Sequence, residues 1–348
     1  MAKKRLGFAL IGCGTIAPWH MQAIERVEGA ELVAVSDLRA ERARKAGEEY
    51  GVDWYTDYKQ VLQRDDVDAV SVLTPSGVRK EIVIAAAAAR KHVIVEKPIE
   101  VTLERTDAMI KACREAGVKL AVIFQNRFLP GIRKIKESVD TGQFGRLILG
   151  DAYVKWYRTQ EYYDSGGWRG TWKYDGGGAL MNQSIHTIDL LLWVMGPVRS
   201  VSAKTATLAH TNIEVEDVAV ATLKFTNGSL GVIEGSTALY PGFPHRLEIH
   251  GEKGSAILQG EQIVFWDLKD GERLETPFPR KKEEAPGGQA DPTRIGTEGH
   301  YLQIKDFVEA IREGREPQVN GEEGRRTVEL ITAIYESAKT GKEVTIKP

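Results

Sequence analysis

The sequence has little cysteine, no long apolar run and no large excess of charge, and each shortage excludes a class of protein. Its 348 residues include two cysteines, Cys13 and Cys113, which form neither a disulfide framework nor a metal-binding pattern and fit a reducing compartment. No stretch is long and apolar enough to cross a membrane. The formal net charge is −2, and the scattered lysines and arginines form no nucleic-acid-binding patch. We therefore expect a cytoplasmic protein with a small-molecule partner and no metal site.

The first residues admit two interpretations. Three basic residues precede the apolar run 6–12, and Leu10-Ile11-Gly12-Cys13 is similar to a lipoprotein cleavage site. That run has the minimum length for a signal peptide and contains Gly7 and Gly12. We favour the alternative, in which the same residues form a first β-strand that leads into a phosphate-binding loop.

The length favours two domains, which we place at residues 1–125 and 126–348. In the first, β-branched runs alternate with helical segments as far as Gln125. This pattern is typical of a doubly wound parallel sheet with right-handed crossovers. We expect an α/β protein with a Rossmann dinucleotide-binding domain at its N-terminus.

Strand patterns dominate the second domain between Val198 and Asp267, where Asn227-Gly228 marks a hairpin turn. We predict an α+β domain with a large, mostly antiparallel open sheet, one face of which pairs subunits in a homodimer or homotetramer. Residues 270–297 are rich in charge, proline and glycine and predict a mobile loop. Two closing helices, 299–312 and 322–337, are expected to pack back on the first domain.

A phosphate-binding fingerprint follows the first predicted strand. Residues 12–17 read G-x-G-x-x-A and open a helix. Gly12 permits the tight turn, Gly14 lets a pyrophosphate approach the backbone, and the small Ala17 lets the helix pack closely. The helix N-terminus then presents N–H groups and a positive dipole end to the phosphates.

The second predicted strand ends on Asp37, and this acidic residue indicates which dinucleotide binds. An acid at this position accepts hydrogen bonds from the adenosine ribose and repels a 2′-phosphate, which favours NAD over NADP. Arg39, two residues later, could instead hold that phosphate, so NADP is the alternative cofactor. A role for Asp37 as a helix N-cap is compatible with the cofactor role.

Lys97 is the predicted catalytic centre. The run 92–95 (H-V-I-V) predicts a strand buried on both faces, and it ends on Glu96-Lys97-Pro98. Ligands of open α/β sheets bind beyond the carboxyl ends of the strands, so a lysine there is placed to donate or accept a proton. Thr74-Pro75-Ser76 follows the preceding predicted strand and lies near the expected nicotinamide ribose. A plain turn without a cofactor role is an equally favoured interpretation of this tripeptide. The predicted cofactor-binding residues are Gly12, Gly14, Thr15, Ile16, Asp37, Arg39, Thr74, Pro75, Ser76, Glu96 and Lys97.

Substrate-binding residues are predicted in the second domain. Residues 156–178 are rich in Trp, Tyr, Arg and Gly, a composition suited to a pocket wall against a sugar. An aromatic loop packed on its own domain is the alternative. The helix predicted over 179–195 places Asn182, His186 and Asp189 on one face of an otherwise apolar surface, and for His186 we favour function over a core role. The predicted substrate-binding residues are Asn126, Tyr157, Arg158, Trp168, Arg169, Trp172, Asn182 and Asp189.

These motifs together resemble the glucose–fructose oxidoreductase / inositol dehydrogenase family of NAD(P)-dependent sugar oxidoreductases, across essentially the whole chain. The resemblance implies that Lys97 hydrogen-bonds the reacting hydroxyl beside the nicotinamide. Asn182 replaces the family's usual Asp, which leaves His186 as the implied base, and members acting on nucleotide-linked amino sugars can also carry Asn there. The family's common T-P-N-x-x-H reads T-P-S-G-V-R at 74–79. The motifs that carry the resemblance are G-x-G-x-x-A at 12–17, Glu96-Lys97-Pro98, and Gly176-Gly177-Gly178 followed by Asn182, His186 and Asp189.

The implied activity is hydride transfer between nicotinamide C4 and a ring hydroxyl or ketone of a sugar, cyclic polyol or nucleotide sugar. Lys97 and His186 would handle the proton. Two other functions stay open: a redox-neutral glycoside-cleaving enzyme that retains its NAD, and a non-catalytic ligand sensor on a Rossmann scaffold. The presence of both residues favours an enzyme, because a sensor needs no proton-transfer pair.

Overall fold

The computed structural model describes residues 5–271, 273 and 296–347. These residues divide into two units. Unit 1 falls within Met1–Gln125 and Ile295–Arg326, and unit 2 within Asn126–Arg294 and Thr327–Pro348. The chain therefore leaves unit 1 after Gln125, returns to it late in the sequence, and ends in unit 2.

Strands and helices alternate in the first third of the chain and are grouped by type after it. The strands are β1 Leu6–Ile11, β2 Ala30–Ser36, β3 Asp53–Tyr55, β4 Ala69–Val72, β5 His92–Val95, β6 Leu120–Val122, β7 Leu147–Lys155, β8 Val198–Ala206, β9 Val218–Phe225, β10 Leu230–Ser236, β11 Arg246–Gly251, β12 Gly254–Gln259, β13 Gln262–Leu268 and β14 Val344–Thr345. The α-helices are α1 Ala17–Arg26, α2 Ala40–Tyr50, α3 Tyr58–Leu62, α4 Arg79–Ala88, α5 Leu103–Ala116, α6 Pro130–Asp140, α7 Gln160–Asp164, α8 Ile185–Met195, α9 Thr297–Glu313 and α10 Gly321–Thr340.

Unit 1 is built on a six-stranded sheet with the order β3-β2-β1-β4-β5-β6. Every neighbouring pair in it is parallel. The strand order changes direction between β1 and β4, which is the Rossmann arrangement and creates a ligand-binding crevice at the carboxyl ends of those strands. The predicted doubly wound parallel sheet is confirmed.

The core of unit 1 explains why these strands read as continuous apolar runs. Phe8, Leu10 and Ile94 are fully buried, since helices cover both faces of such a sheet. The late helix α9 belongs to this unit and packs against α1. Its Phe307 meets Phe8 edge to face, with ring centroids 6.3 Å apart. Fully burying one such side chain stabilises the fold by about 1.5–3 kcal/mol.

Unit 2 is built on an eight-stranded sheet with the order β13-β12-β11-β7-β10-β9-β8-β14. β7 and β10 are parallel, and the other neighbouring pairs are antiparallel. α8 packs on β7 and β11, and Gly150 leaves the space that the Met195 side chain fills. The opposite face of this sheet carries partly exposed side chains. The mostly antiparallel sheet predicted for this part of the chain is confirmed.

Local details of unit 2 differ from the predictions. The strand-rich stretch predicted over 198–267 forms two three-stranded meanders, β8-β9-β10 and β11-β12-β13, and β7 lies between them in the sheet. The helix predicted over 179–195 begins with a π-helical turn, Ala179–Ser184, before α8. The short elements α7 and β14 were not predicted. Most of the predicted mobile loop, 270–297, lies outside the described residues. Among those described, no helix combines the length and apolarity that a membrane crossing requires.

Candidate active site

The glycine loop between β1 and α1 has the form that a dinucleotide pyrophosphate requires. Gly12 has a φ of 107°, and a Cβ there would lie 2.9 Å from the carbonyl carbon of Leu73, so only glycine fits. A Cβ on Gly14 would meet no atom within 4 Å, which leaves open space beside the backbone. No side chain caps the N-terminus of α1. The tight turn at Gly12, the open space beside Gly14 and the uncapped N-terminus of α1 together form a site that suits a bound phosphate.

The carboxylate of Asp37, directly after β2, is bonded to this loop. It accepts the backbone N–H of Cys13 at 2.9 Å and that of Arg39 at 2.8 Å. These two bonds hold the acid where dinucleotide ribose hydroxyls bind in folds of this type. The Arg39 side chain is exposed. Burial and the charge of Asp37 raise the pKa of the neighbouring Cys13 thiol to about 12, which disfavours the reactive thiolate form.

Lys97 stands at the carboxyl end of β5, in a turn that two buried side chains hold. The guanidinium of Arg79, at the start of α4, donates to the carbonyl oxygen of Glu96 at 2.5 Å and to that of Pro98. It also donates to the carbonyl of Thr74 at 2.9 Å. The Glu96 carboxylate accepts the backbone N–H of Lys97 at 3.1 Å. The turn is thus fixed through both its carbonyl and its amide groups, so Lys97 projects from a defined backbone.

Thr74 follows β4, the strand next to β5 in the sheet, and its hydroxyl is buried without a hydrogen bond in the described part of the protein. Ser76 is buried in the 3₁₀ turn Ser76–Val78 that follows. A buried hydroxyl without a protein partner, at the carboxyl edge of a parallel sheet, is the kind of group that a bound cofactor satisfies.

In unit 2, the triple glycine before the π-helical turn leaves no room for side chains. A Cβ on Gly177 would overlap the hydroxyl of Tyr335, and one on Gly178 would overlap the carbonyl oxygen of Glu216. The Glu216 carboxylate accepts the N–H groups of Gly178 at 2.9 Å and Leu180 at 2.8 Å, and the Tyr335 hydroxyl donates to it at 2.9 Å. Burial raises the pKa of Glu216. This carboxylate caps the start of the helical segment that carries the predicted substrate residues.

Asn182 and His186 are the two partly exposed side chains of residues 179–191, in which every other residue is buried. The amide nitrogen of Asn182 donates to the carboxylate of Asp175, and its oxygen accepts from the side chain of Gln183 at 2.7 Å. Asp175 is itself 2% exposed and accepts the N–H of Gly170 at 3.0 Å. A buried carboxylate therefore fixes the amide orientation of Asn182 on the surface that it shares with His186.

Asp189 does not join that exposed surface. It is 1% exposed, and its two carboxylate oxygens accept from the guanidinium of Arg127 at 2.7 Å each. The hydroxyl of Thr327 donates to it at 3.2 Å. Breaking such a buried pair is strongly destabilising. The three predicted helix residues therefore separate into two partly exposed residues, Asn182 and His186, and Asp189, which is buried in an ion pair.

The aromatic segment 156–178 is part core and part surface. The buried Arg158 donates to the side chain of Gln183 at 2.8 Å, and Tyr163 is buried as well. Trp172 is 45% exposed, although its ring meets that of Tyr335 with centroids 5.2 Å apart. The segment therefore packs partly on its own domain, and its role as a pocket wall stays a prediction. The other residues predicted here and before α6 are half-buried: Asn126, Tyr157, Trp168 and Arg169.

Comparison with known proteins identifies the family. Residues 6–124 match the oxidoreductase family with an NAD-binding Rossmann fold, and residues 132–257 match the GFO/IDH/MocA C-terminal domain. The crystal structure of the WlbA dehydrogenase from Bordetella pertussis, in complex with NADH and UDP-GlcNAcA, has a TM-score of 0.87 and 35% sequence identity. The match covers 99% of this chain and 100% of that one. The chain belongs to the GFO/IDH/MocA family of oxidoreductases.

Other GFO/IDH/MocA members carry the names of different dehydrogenases. Myo-inositol 2-dehydrogenase of Thermotoga maritima is 29% identical over 97% of this chain and 98% of its own length. D-apiose dehydrogenase of Paraburkholderia graminis is 28% identical over 99% and 90%, respectively. The predicted family, the oxidoreductase class and the NAD cofactor are therefore confirmed.

Several polar residues around the GFO/IDH/MocA motifs were missed by sequence reasoning. Arg79 occupies the His position of the family's T-P-N-x-x-H, and the structure shows that it ties the ends of two strands together. Asp175 and Glu216 orient unit 2 side chains, and His20 and His300 contact Glu96. The available signal was weak: Asp175 directly precedes the triple glycine, and His20 lies within an otherwise apolar face of α1.

Proposed function

We propose that this chain is an NAD-dependent dehydrogenase or reductase that transfers hydride between nicotinamide C4 and a ring carbon of a sugar-like substrate. The main support for the proposal is the position of Lys97 in a turn at the carboxyl end of β5, whose backbone is fixed by hydrogen bonds. The same unit contains the open glycine loop and Asp37. NAD supplies the hydride acceptor when bound. The loop would hold its pyrophosphate, Asp37 its adenosine ribose, and residues 74–76 its nicotinamide ribose.

In the proposed reaction, Lys97 donates a hydrogen bond to the reacting hydroxyl oxygen, and His186 accepts the hydroxyl proton. Bound NAD would supply the acceptor for the hydride that leaves the substrate carbon as its C=O bond forms. Asn182 cannot act as a base, because an amide does not ionise in this pH range. Its fixed amide would instead orient a substrate hydroxyl. Substrate contacts stay predictions for Asn126, Tyr157, Arg158, Trp168, Arg169, Trp172, Asn182 and Asp189.

Among substrate classes we place nucleotide-linked sugars first. The WlbA dehydrogenase that was crystallised with UDP-GlcNAcA is 35% identical over the whole chain. Asn182 at the family's usual Asp position supports the same class. Free sugars and cyclic polyols come second, supported by the inositol and apiose dehydrogenases at 29% and 28% identity.

Two further proposals concern the protein as a whole. We propose a homodimer or homotetramer formed through the open face of the unit 2 sheet. The cytoplasmic location stays a prediction. A glycoside-cleaving enzyme that retains its NAD and a ligand sensor are the alternative functions, and activity measurements separate them from a dehydrogenase.

The test is absorbance of the reduced nicotinamide, with NAD or NADP and a panel of UDP-sugars, uronic acids, hexoses and inositols. Lys97→Ala is expected to lose about 10²–10⁴-fold in turnover, the usual worth of a positioned proton-transfer group, while binding NAD normally. Lys45→Ala, at an exposed lysine on α2, is the matched control and should behave like the wild type. Near-normal turnover of Lys97→Ala would contradict the catalytic assignment.

If no substrate of the panel changes the absorbance of the nicotinamide while NAD still binds, the dehydrogenase function is contradicted. Aglycone release from glycosides without NADH accumulation would then identify the retained-cofactor glycosidase. Ligand binding without any turnover would identify the sensor.

A further inference from the structure

A buried cluster of three ionisable side chains adjoins the Lys97 turn in unit 1. It consists of His20 on α1, Glu96 after β5 and His300 on α9, which are 0%, 6% and 1% exposed. One nitrogen or oxygen atom of each lies within 4.8 Å of those of the other two. Three distant parts of the sequence thus bring two imidazoles to one buried carboxylate, and the reaction proposed above uses neither imidazole.

Both carboxylate oxygens of Glu96 have partners within the unit. One lies 3.0 Å from Nε2 of His20 and 3.8 Å from Nε2 of His300. The other accepts the backbone N–H of Lys97 at 3.1 Å. The Glu96 side chain therefore links the two imidazoles on one side to the backbone of the proposed catalytic lysine on the other.

Both ring nitrogens of His20 have hydrogen-bond partners, Ser71 and Glu96. Its Nδ1 lies 2.8 Å from the hydroxyl of Ser71 on β4. If the serine donates to Nδ1, the proton of a neutral His20 is on Nε2 and points at Glu96. Neither ring nitrogen of His300 has a hydrogen-bond partner among the described residues, and its Nε2 lies 3.8 Å from the Glu96 carboxylate, beyond direct hydrogen-bond distance.

The cluster keeps Glu96 charged. Burial by itself would raise the pKa of this carboxyl, but His20 and His300 outweigh burial and hold the pKa well below its usual value of 4.5. Burial lowers the pKa of His20, and His300 and Arg79 lower it further against the opposing effect of Glu96. These directions favour an ionised Glu96 beside an uncharged His20. Arg79 on α4 is a cation whose charge acts on His20.

A metal ion explains these distances less well than hydrogen bonding. The 3.0 Å separation of His20 and Glu96 is that of a direct hydrogen bond. A zinc ion would need the lone pairs of both imidazoles to point at a common centre about 2.1 Å away, and structural zinc sites have four ligands. Within the described residues, no fourth His, Cys, Asp or Glu joins the group.

We propose that His300 is a positioning residue for Lys97. From α9, it acts with His20 to hold Glu96 as a fixed, ionised acceptor, and Glu96 in turn fixes the backbone N–H of Lys97. The effect on turnover rests on the dehydrogenase function proposed above. The effect on the Lys97 backbone does not, so it can be measured without a substrate.

The experiment compares His300→Leu with His300→Gln. Both replacements are smaller than or similar to histidine, but glutamine keeps an N–H donor and leucine does not. Residue-resolved hydrogen exchange on the free protein is expected to show at least about tenfold faster exchange of the Lys97 amide in His300→Leu. His300→Gln should keep wild-type protection. Thermal unfolding of each variant checks that the fold is intact.

Turnover with the substrate that the panel identifies gives the second measurement. His300→Leu is expected to lose about tenfold or more in kcat with little change in KM, as for an interaction realised in the transition state. The acidic limb of its pH profile should move to higher pH, because Glu96 without the neighbouring His300 imidazole, which lowers its pKa, takes up a proton more readily. His300→Gln should restore both properties.

Several outcomes would overturn the proposal. Unchanged Lys97 exchange in His300→Leu, or equal losses in both variants, would reduce His300 to a packing role. Stoichiometric transition metal in the purified wild-type protein would replace the hydrogen-bonded cluster with a metal centre. If no substrate is found, the dehydrogenase function fails, and the exchange measurement still decides the positioning role.

Discussion

At the scale of single residues, the charge of Asp37 is expected to set the cofactor preference. In Asp37→Asn the side chain keeps its shape but loses the charge that repels a 2′-phosphate. We expect the ratio of kcat/KM for NAD to that for NADP to fall at least about tenfold, which corresponds to roughly 1.4 kcal/mol. Steady-state kinetics with both cofactors measure this ratio.

Arg39 provides the control for this prediction. Its exposed side chain lies two residues beyond Asp37 and is the nearby group that can meet a 2′-phosphate once the acid is neutral. Adding Arg39→Ala to Asp37→Asn should therefore remove most of the gained activity with NADP. An unchanged cofactor ratio in the single variant would show that preference is determined elsewhere.

Sequence reasoning found the residues that stand at the ends of recognisable elements and missed those that support them. Lys97 ends a strand, and Asn182 and His186 follow a triple glycine, so local patterns mark them. No local sequence pattern identifies Glu216, because the groups to which it is hydrogen-bonded lie 36 to 119 residues away in the sequence. Contacts of this length exist only after folding, so no short-range pattern contains them.

At the scale of elements, the cap that Glu216 places on the π-helical turn is expected to be a major stabilising contact in unit 2. Glu216→Gln keeps the size of the side chain but sets an NH₂ group against N–H donors. Leaving a buried donor unsatisfied costs about 1–3 kcal/mol, and we expect a loss of stability in that range. Chemical denaturation of the wild type and the variant measures it.

The pH dependence of that loss has a definite sign. Because burial raises the pKa of Glu216 above its usual 4.5, its contribution is complete below that value and declines as pH rises through the folded-state pKa. The stability gap between the wild type and Glu216→Gln should therefore narrow with rising pH. Tyr335→Phe, which removes one of the three donors, should cost less. Equal stability of Glu216→Gln and the wild type would contradict the capping role.

The elements themselves were mostly predictable because apolar periodicity and turn residues mark them. A glycine or a polar residue follows each of the six parallel strands within three residues, and the G-x-G-x-x-A loop lies between β1 and α1. The π-helical turn Ala179–Ser184 was not predictable. It directly follows Gly177 and Gly178, where an added Cβ would overlap groups that are distant in the sequence, and π-turns often occur at functional sites.

At the scale of the whole molecule, sheet membership could be predicted but strand order could not be completed. The alternation of strands and helices implies parallel pairing in unit 1, and the hairpin signals imply antiparallel pairing in unit 2. The insertion of β7 between two meanders, parallel to β10, leaves no local trace in the sequence. The choice depends on which apolar faces pack together, and only the folded chain determines that.

The open face of the unit 2 sheet is expected to join subunits. With strands about 4.8 Å apart, eight strands form a surface roughly 34 Å wide, enough for the approximately 800 Å² per partner of a stable interface. Val220 on β9 is 47% exposed and Leu230 on β10 is 56% exposed. The strand register places both side chains on this face, so the face offers apolar area beside its polar groups.

Val220→Arg should therefore dissociate the assembly without unfolding the subunit, since the side chain is already exposed within one chain. Light scattering after size exclusion should give a multiple of 38.6 kDa for the wild type and a smaller mass for the variant. Leu208→Arg is the control, because Leu208 is 78% exposed in the loop between β8 and β9, outside the strands, and it should keep the wild-type mass. An arginine buried in such an interface would leave an unpaired charge, so an unchanged mass for Val220→Arg would exclude this face as the subunit interface. A monomeric wild type would exclude it as well.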